Sequence, residues 1–120
     1  MAKYLISFPS AAIVPDGDWE AVGRDSHAVI DEAMAAGVYD FGGGIDEAVP
    51  PALVSADGAV AEGSYPWAPP LDGGFTVLEL PSREEAVAWA ARIARGLPLR
   101  PGTARLSVRP TVLKAAGPRA

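Results

Sequence analysis

The sequence predicts an α+β domain of the ferredoxin-like kind, a βαββαβ protomer with a hairpin inserted near its middle. Aromatic and β-branched residues run through residues 3–8 and again through 73–80, a composition suited to a half-buried pleated surface. Each run is followed by an apolar stripe at helical spacing and then by a second strand-like run, which gives two β-α-β halves. Between the halves, residues 52–55 and 59–62 flank Ala56-Asp57-Gly58, a hairpin signal. Helices on one face of such a sheet leave the other bare, and a homodimer packing sheet against sheet would cover it.

The elements follow in order. In the first strand Tyr4, Ile6 and Phe8 alternate against Lys3, Leu5 and Ser7, and Pro9 and Ser10 end it. Pro15-Asp16-Gly17-Asp18 reads as a turn, with Asp18 able to cap a helix whose apolar side is Trp19, Val22, Val29, Ile30, Ala33 and Met34. Gly23 weakens the middle of that helix by about 1 kcal/mol relative to Ala, so a kink over residues 23–25 is compatible with the pattern. Gly37 closes it. Strand character resumes at Val38-Tyr39-Asp40-Phe41, and Gly42-Gly43-Gly44 reads as a bulge, since it lacks the lysine and helix start of a phosphate-binding loop. Residues 64–72 hold Pro66, Pro69 and Pro70 with Tyr65 and Trp67, too proline-dense for a ladder, and are expected to pack as an ordered loop. After the strand at 73–80, Pro81 breaks the chain and Ser82 with Glu85 forms a capping box. In the helix that follows, Ala86, Trp89, Ala90, Ile93, Ala94 and Leu97 share one side and Glu84, Arg92 and Arg95 the other. A last strand over 104–112 turns Leu106 and Val108 one way and Arg105, Ser107 and Arg109 the other.

The 120 residues make one domain, residues 1–113, with a flexible tail at 114–120. A hydrophobic content of 49% with 21% charged residues is that of a globular chain and not of a disordered one. The absence of Cys removes disulfides and thiolate chemistry. A net charge of −5 repels a phosphate backbone, so nucleic acid is not the expected partner. The apolar run after Lys3 ends at Pro9, too short to span a bilayer. A cytoplasmic location, no membrane association and no cofactor are the corresponding expectations. A single histidine builds no ordinary zinc or iron site, and no serine stands in a Gly-x-Ser-x-Gly elbow.

Gly73-Gly74-Phe75, Glu84-Glu85-Ala86-Val87-Ala88-Trp89-Ala90 and Leu106-Ser107-Val108-Arg109-Pro110-Thr111-Val112 resemble the YCII-related proteins, in particular their DGPF-domain branch. His27 in the first helix and Gly37 at its end stand in the order that family shows. The resemblance implies a dimeric α+β barrel with a central cavity, and it implies no single activity, since most members are of unknown function and a few similar proteins act on small organic molecules. The segment that names the branch is replaced here by Glu62-Gly63-Ser64-Tyr65-Pro66-Trp67, and the acidic and lysine residues that follow it in the family by Ala68-Pro69-Pro70-Leu71. His27 matches the family histidine that, in the YCII relatives, pairs with an aspartate as a proposed base.

From the residues themselves, His27 is the one imidazole and so the natural general base, with Asp31 a turn away able to orient it. The plainer alternative is a histidine paired with Asp31 on a solvated helix face. Asp40 either faces solvent or points into a polar cavity. Arg105 and Arg109 either hold an anionic ligand from the bare face of the sheet or form interface ion pairs. Tyr65 and Trp67 either wall a ligand pocket or seal an edge. Two functions follow: a non-catalytic dimeric module that binds a small molecule or serves as an accessory, and a cofactor-independent enzyme on a small organic, anionic substrate with His27 as base. Between them the missing loop carboxylates and lysine favour the first.

Overall fold

A computed structural model describes residues 1–14, 19–100 and 105–112, with residues 19–23 described through their backbone alone. The turn at 15–18 with its cap Asp18, the bend at 101–104 and the tail at 114–120 lie outside the described residues. Along the chain run β1 (Ala2–Phe8), a 3-10 turn (Ser10–Ala12), α1 (Trp19–Ala35), β2 (Tyr39–Gly44), β3 (Ala52–Val54), β4 (Val60–Glu62), β5 (Gly74–Leu80), α2 (Arg83–Arg95) and β6 (Ser107–Pro110). The result is a small α+β fold with two helices and antiparallel sheets among the described residues, compatible with a ferredoxin-like arrangement.

The larger sheet has the order β2-β5-β1-β6, with every neighbouring pair antiparallel. Its register sorts the side chains. Tyr4 lies opposite Leu78 and Pro110, and Ile6 opposite Thr76 and Val108. These positions face the helices, where Tyr4, Ile6, Leu78 and Leu80 meet Ala33 of α1 and Ala86 and Ala90 of α2 in the buried core. The intervening positions, Leu5 opposite Val77 and Arg109, Ser7 opposite Phe75 and Ser107, and Phe41 opposite Val77, belong to the far face. Alanine at the helix positions lets both helices lie close to the sheet, and the large aliphatic side chains of β1 and β5 fill the space between.

The helix ends obey local chemistry. Gly37 adopts a φ of 74° and donates to Met34 O at 3.0 Å, while Val38 N–H reaches Ala33 O at 3.1 Å. This closes α1 with a Schellman turn. Its backbone is helical across the residues 23–25 where Gly23 allowed a kink. At the start of α2, Ser82 Oγ accepts from Glu85 N–H at 3.2 Å. Ser82→Ala is expected to cost about 1 kcal/mol of folding stability, and a urea midpoint equal to that of the parent protein would show that the cap contributes nothing.

Three features depart from the sequence reading. The irregularity in β2 falls at Asp40, between Tyr39 and Phe41, whereas Gly42, Gly43 and Gly44 pair in register with Thr76, Phe75 and Gly74. A Cβ on Gly42 would lie 3.0 Å from Phe75 O and 3.2 Å from the Tyr39 hydroxyl, so a small residue serves close strand approach there rather than a bulge. The last strand covers four residues, Ser107–Pro110, with Arg105, Leu106, Thr111 and Val112 outside it and residue 104 outside the described residues. Thr111 N–H still donates at 2.8 Å to O of Lys3, the residue that follows in register. Residues 64–72 leave Tyr65, Trp67 and Leu71 exposed, since the hairpin they follow, β3 with β4, forms a sheet of its own apart from the main one.

Candidate functional site

The second half of α1 presents His27, Ile30 and Met34 at i, i+3 and i+7, one above another on a single side of the helix. That side looks onto a cleft of about 530 Å³ bounded by α1, the end of α2 and the β2–β5 end of the sheet. Phe8, Val29, Ile30, Met34, Ile93 and Leu97 make it apolar, and Ser26, His27, Tyr39 and Thr76 supply its polar side chains. Among the described residues no Asp, Glu, Lys or Arg lines it. The cleft lies on the helix side of the sheet, and the glycines of β2 keep its strand wall low.

The residues singled out in the sequence are distributed among five places. His27 lines the cleft and is exposed at its rim, and Asp31 is exposed one turn further along α1. Asp40 is engaged by Lys3, whose Nζ stands 2.5 Å from one carboxylate oxygen and 3.6 Å from Glu79. The bulge thus commits Asp40 to the cation of β1 rather than to His27. Arg109 is opposite Leu5 on the far face, so within one protomer it and His27 are on opposite sides of the sheet. Arg105 stands just before β6 and borders a groove beside α2 with Arg83, Val87 and Val108. Tyr65 and Trp67 stack on one another, centroids 4.5 Å apart and planes 12° off parallel, on the surface beyond the hairpin.

Two further constellations emerge from the fold alone. Ser10 N–H donates to Asp72 Oδ1 at 3.0 Å and its hydroxyl bonds the Glu47 carboxylate, which ties the loop after β2 and the loop before β5 to the end of β1. Arg92 pairs with Glu32 across the helices and lies over the Trp89 ring, 4.2 Å from its centroid. The bonds of Ser10 and the Arg92–Glu32 pair had no local signal in the sequence, because their partners are 37 to 62 residues apart, whereas Trp89 and Arg92 are i, i+3 neighbours on α2.

The Lys3 pKa is raised, chiefly by its hydrogen bond to Asp40 and further by the attraction of Asp40 and Glu79, against an opposing loss of hydration. A raised lysine pKa stabilises the fold fully below the unfolded value, and the stabilisation is lost as pH rises through the folded value. Stability is therefore expected to fall as pH climbs past lysine's ordinary 10.5, more in the parent protein than in Asp40→Asn. The check is a pair of urea titrations either side of that pH. Equal pH dependence in parent and variant would leave Lys3 uncoupled from Asp40.

Among the described residues no group of three or more His, Cys, Asp or Glu is placed to hold a metal ion, and no helix is long and apolar enough to cross a membrane. No protein-family model matches the chain, and no curated protein matches it.

Proposed function

We propose that this chain is a small-molecule-binding module, a YCII-like protein of ferredoxin-like βαββαβ form that works as a homodimer. The observation that carries the binding reading is the cleft beside His27: about 530 Å³, apolar in most of its lining, with a few polar groups and no fixed charge among the described residues. Pockets of this size and character suit small organic ligands. The expected ligand is a largely apolar molecule with one hydrogen-bonding or weakly acidic group directed at the His27 imidazole. The strand order β2-β5-β1-β6, with helices after β1 and β5, supports the βαββαβ reading. Leu5, Phe41, Phe75 and Val77 on the face away from the helices support a sheet-to-sheet dimer, the dimeric α+β barrel.

The position of His27 in the cleft favours a second reading, a cofactor-independent enzyme with His27 as base. Asp31, the carboxylate expected to orient it, is exposed on the helix face, and Asp40 is paired with Lys3, which ranks binding first. The full chain titrated with decanoate, indole-3-acetate and decanol tests both. Saturable shifts of the Met34 methyl and His27 ring resonances, abolished by Ile30→Trp, are expected. No shift at Met34 with any of the three overturns the binding reading, and consumption of a probe that stops in His27→Gln replaces it with the enzymatic one.

A further inference from the structure

We infer that the segment between β2 and β5 is an acidic arm that docks on a second copy of this chain, along the basic edge of the partner's sheet. The inference rests on the dimer of the preceding reading and adds what holds its rims together.

Charge is divided sharply along the sequence. No lysine or arginine occurs between Arg24 and Arg83, and the stretch from Ile45 to Gly73 carries Asp46, Glu47, Asp57, Glu62 and Asp72. That stretch is clamped at its base, where Ile45 N–H donates to Gly73 O at 2.8 Å, so it leaves the fold from the paired ends of the edge strand β2 and its neighbour β5. The opposite edge is β6, with exposed Arg109 on it and exposed Arg105 just before it. The acidic stretch therefore springs from the β2–β5 side of the sheet, held to the end of β1 by the bonds of Ser10 to Glu47 and Asp72, and the two arginines lie at the β6 side.

The arm is also apolar where a free arm gains nothing from being so. Its hairpin has three residues in each strand, and β3 and β4 pair with each other alone. A two-stranded hairpin of that length is marginal in water without a surface to lie on. Val54, Val60, Trp67 and Leu71 are all more than two-thirds exposed, at 68%, 67%, 76% and 81%. A surface that combines these side chains with acidic neighbours fits a sheet face with half-buried or exposed apolar side chains and an arginine at its rim, which this same chain presents at Leu5, Phe41, Phe75 and Arg109.

Symmetry makes the match reciprocal. When two sheets face each other about a two-fold axis running along their strands, the β2 edge of each lies over the β6 edge of the other. Each arm then meets the partner's arginines, and the contact is made twice.

Sedimentation equilibrium of the full chain tests this with two exposed-surface variants: an arm variant, Asp57→Lys with Glu62→Lys, and an edge variant, Arg105→Glu with Arg109→Glu. Amide NMR spectra establish that each is folded. Each variant alone is expected to dimerise at least about tenfold more weakly, because both of its symmetric contacts oppose like charges. An equimolar mixture is expected to regain the parent affinity, since the reversed arm meets the reversed edge and the native arm meets the native edge. Variants that dimerise like the parent, or a mixture no tighter than either alone, overturn the arm inference while leaving the dimer standing. A monomeric parent at tens of micromolar overturns the dimer and the arm together.

Discussion

Gly73→Ala is expected to remove more than about 3 kcal/mol of folding stability, a large part of what a domain this size possesses. Gly73 sits at a φ of 81°, in the region L-residues avoid at a cost of about 1–2 kcal/mol. The larger effect is steric. A Cβ built there would lie 1.9 Å from Phe8 O and 2.9 Å from Phe8 C. Those atoms are backbone, so no rotamer change relieves the contact, and the end of β1 must part from the start of β5. The same movement would disturb Ile45 N–H, which donates to Gly73 O, and the Ser10 to Asp72 bond beside it. Gly37→Ala provides the control. Gly37 has a φ of 74° but nothing within 4 Å of an added Cβ, so only the conformational cost of about 1 kcal/mol applies. Urea unfolding of both variants separates the terms: equal losses would mean that the close approach to Phe8 does not exist.

Features governed by neighbours in sequence were legible before any coordinates. Ser82 three residues ahead of Glu85, Gly37 after Met34, and Asp57-Gly58 between two short runs each act within one turn of chain, and each is found in its expected role. The alternation in β1 likewise separated Tyr4 and Ile6 from Lys3 and Leu5. What the sequence could not place depends on register between distant strands. Three consecutive glycines permit a bulge, but the pairing of β2 with β5 decides where it falls, and it falls on Asp40. That shift gives Asp40 to Lys3, 37 residues away. His27 and Arg109 each have chemistry suited to an anionic ligand, and only the sheet pairing shows that they stand on opposite faces. Aromatic residues at 65 and 67 say that a loop is not idle, yet their mutual stacking on the surface, with no core beneath, follows from the hairpin lying apart from the main sheet.

Phe41→Glu is expected to turn the proposed sheet-to-sheet dimer into a folded monomer. Phe41 is 54% exposed in the protomer and meets Phe75 edge to face, centroids 5.9 Å apart. Its removal should cost the isolated protomer only about 1 kcal/mol, the worth of such an aromatic contact. At a sheet-to-sheet interface the effect is far greater, because the two-fold axis repeats it. Each copy loses the burial of a half-exposed aromatic ring and gains a carboxylate that must shed water against an apolar face. About 2 kcal/mol per copy, taken twice, is about 4 kcal/mol, or roughly a thousandfold in Kd. A parent that is dimeric at micromolar concentration would then require millimolar variant to associate. Sedimentation velocity reads the change, and an amide NMR spectrum with the parent's dispersion shows that the fold is intact. A Phe41→Glu protein that sediments as the parent dimer would place the interface elsewhere, because no packing of the far face of the sheet against its twin can hide two carboxylates beside Val77 without penalty.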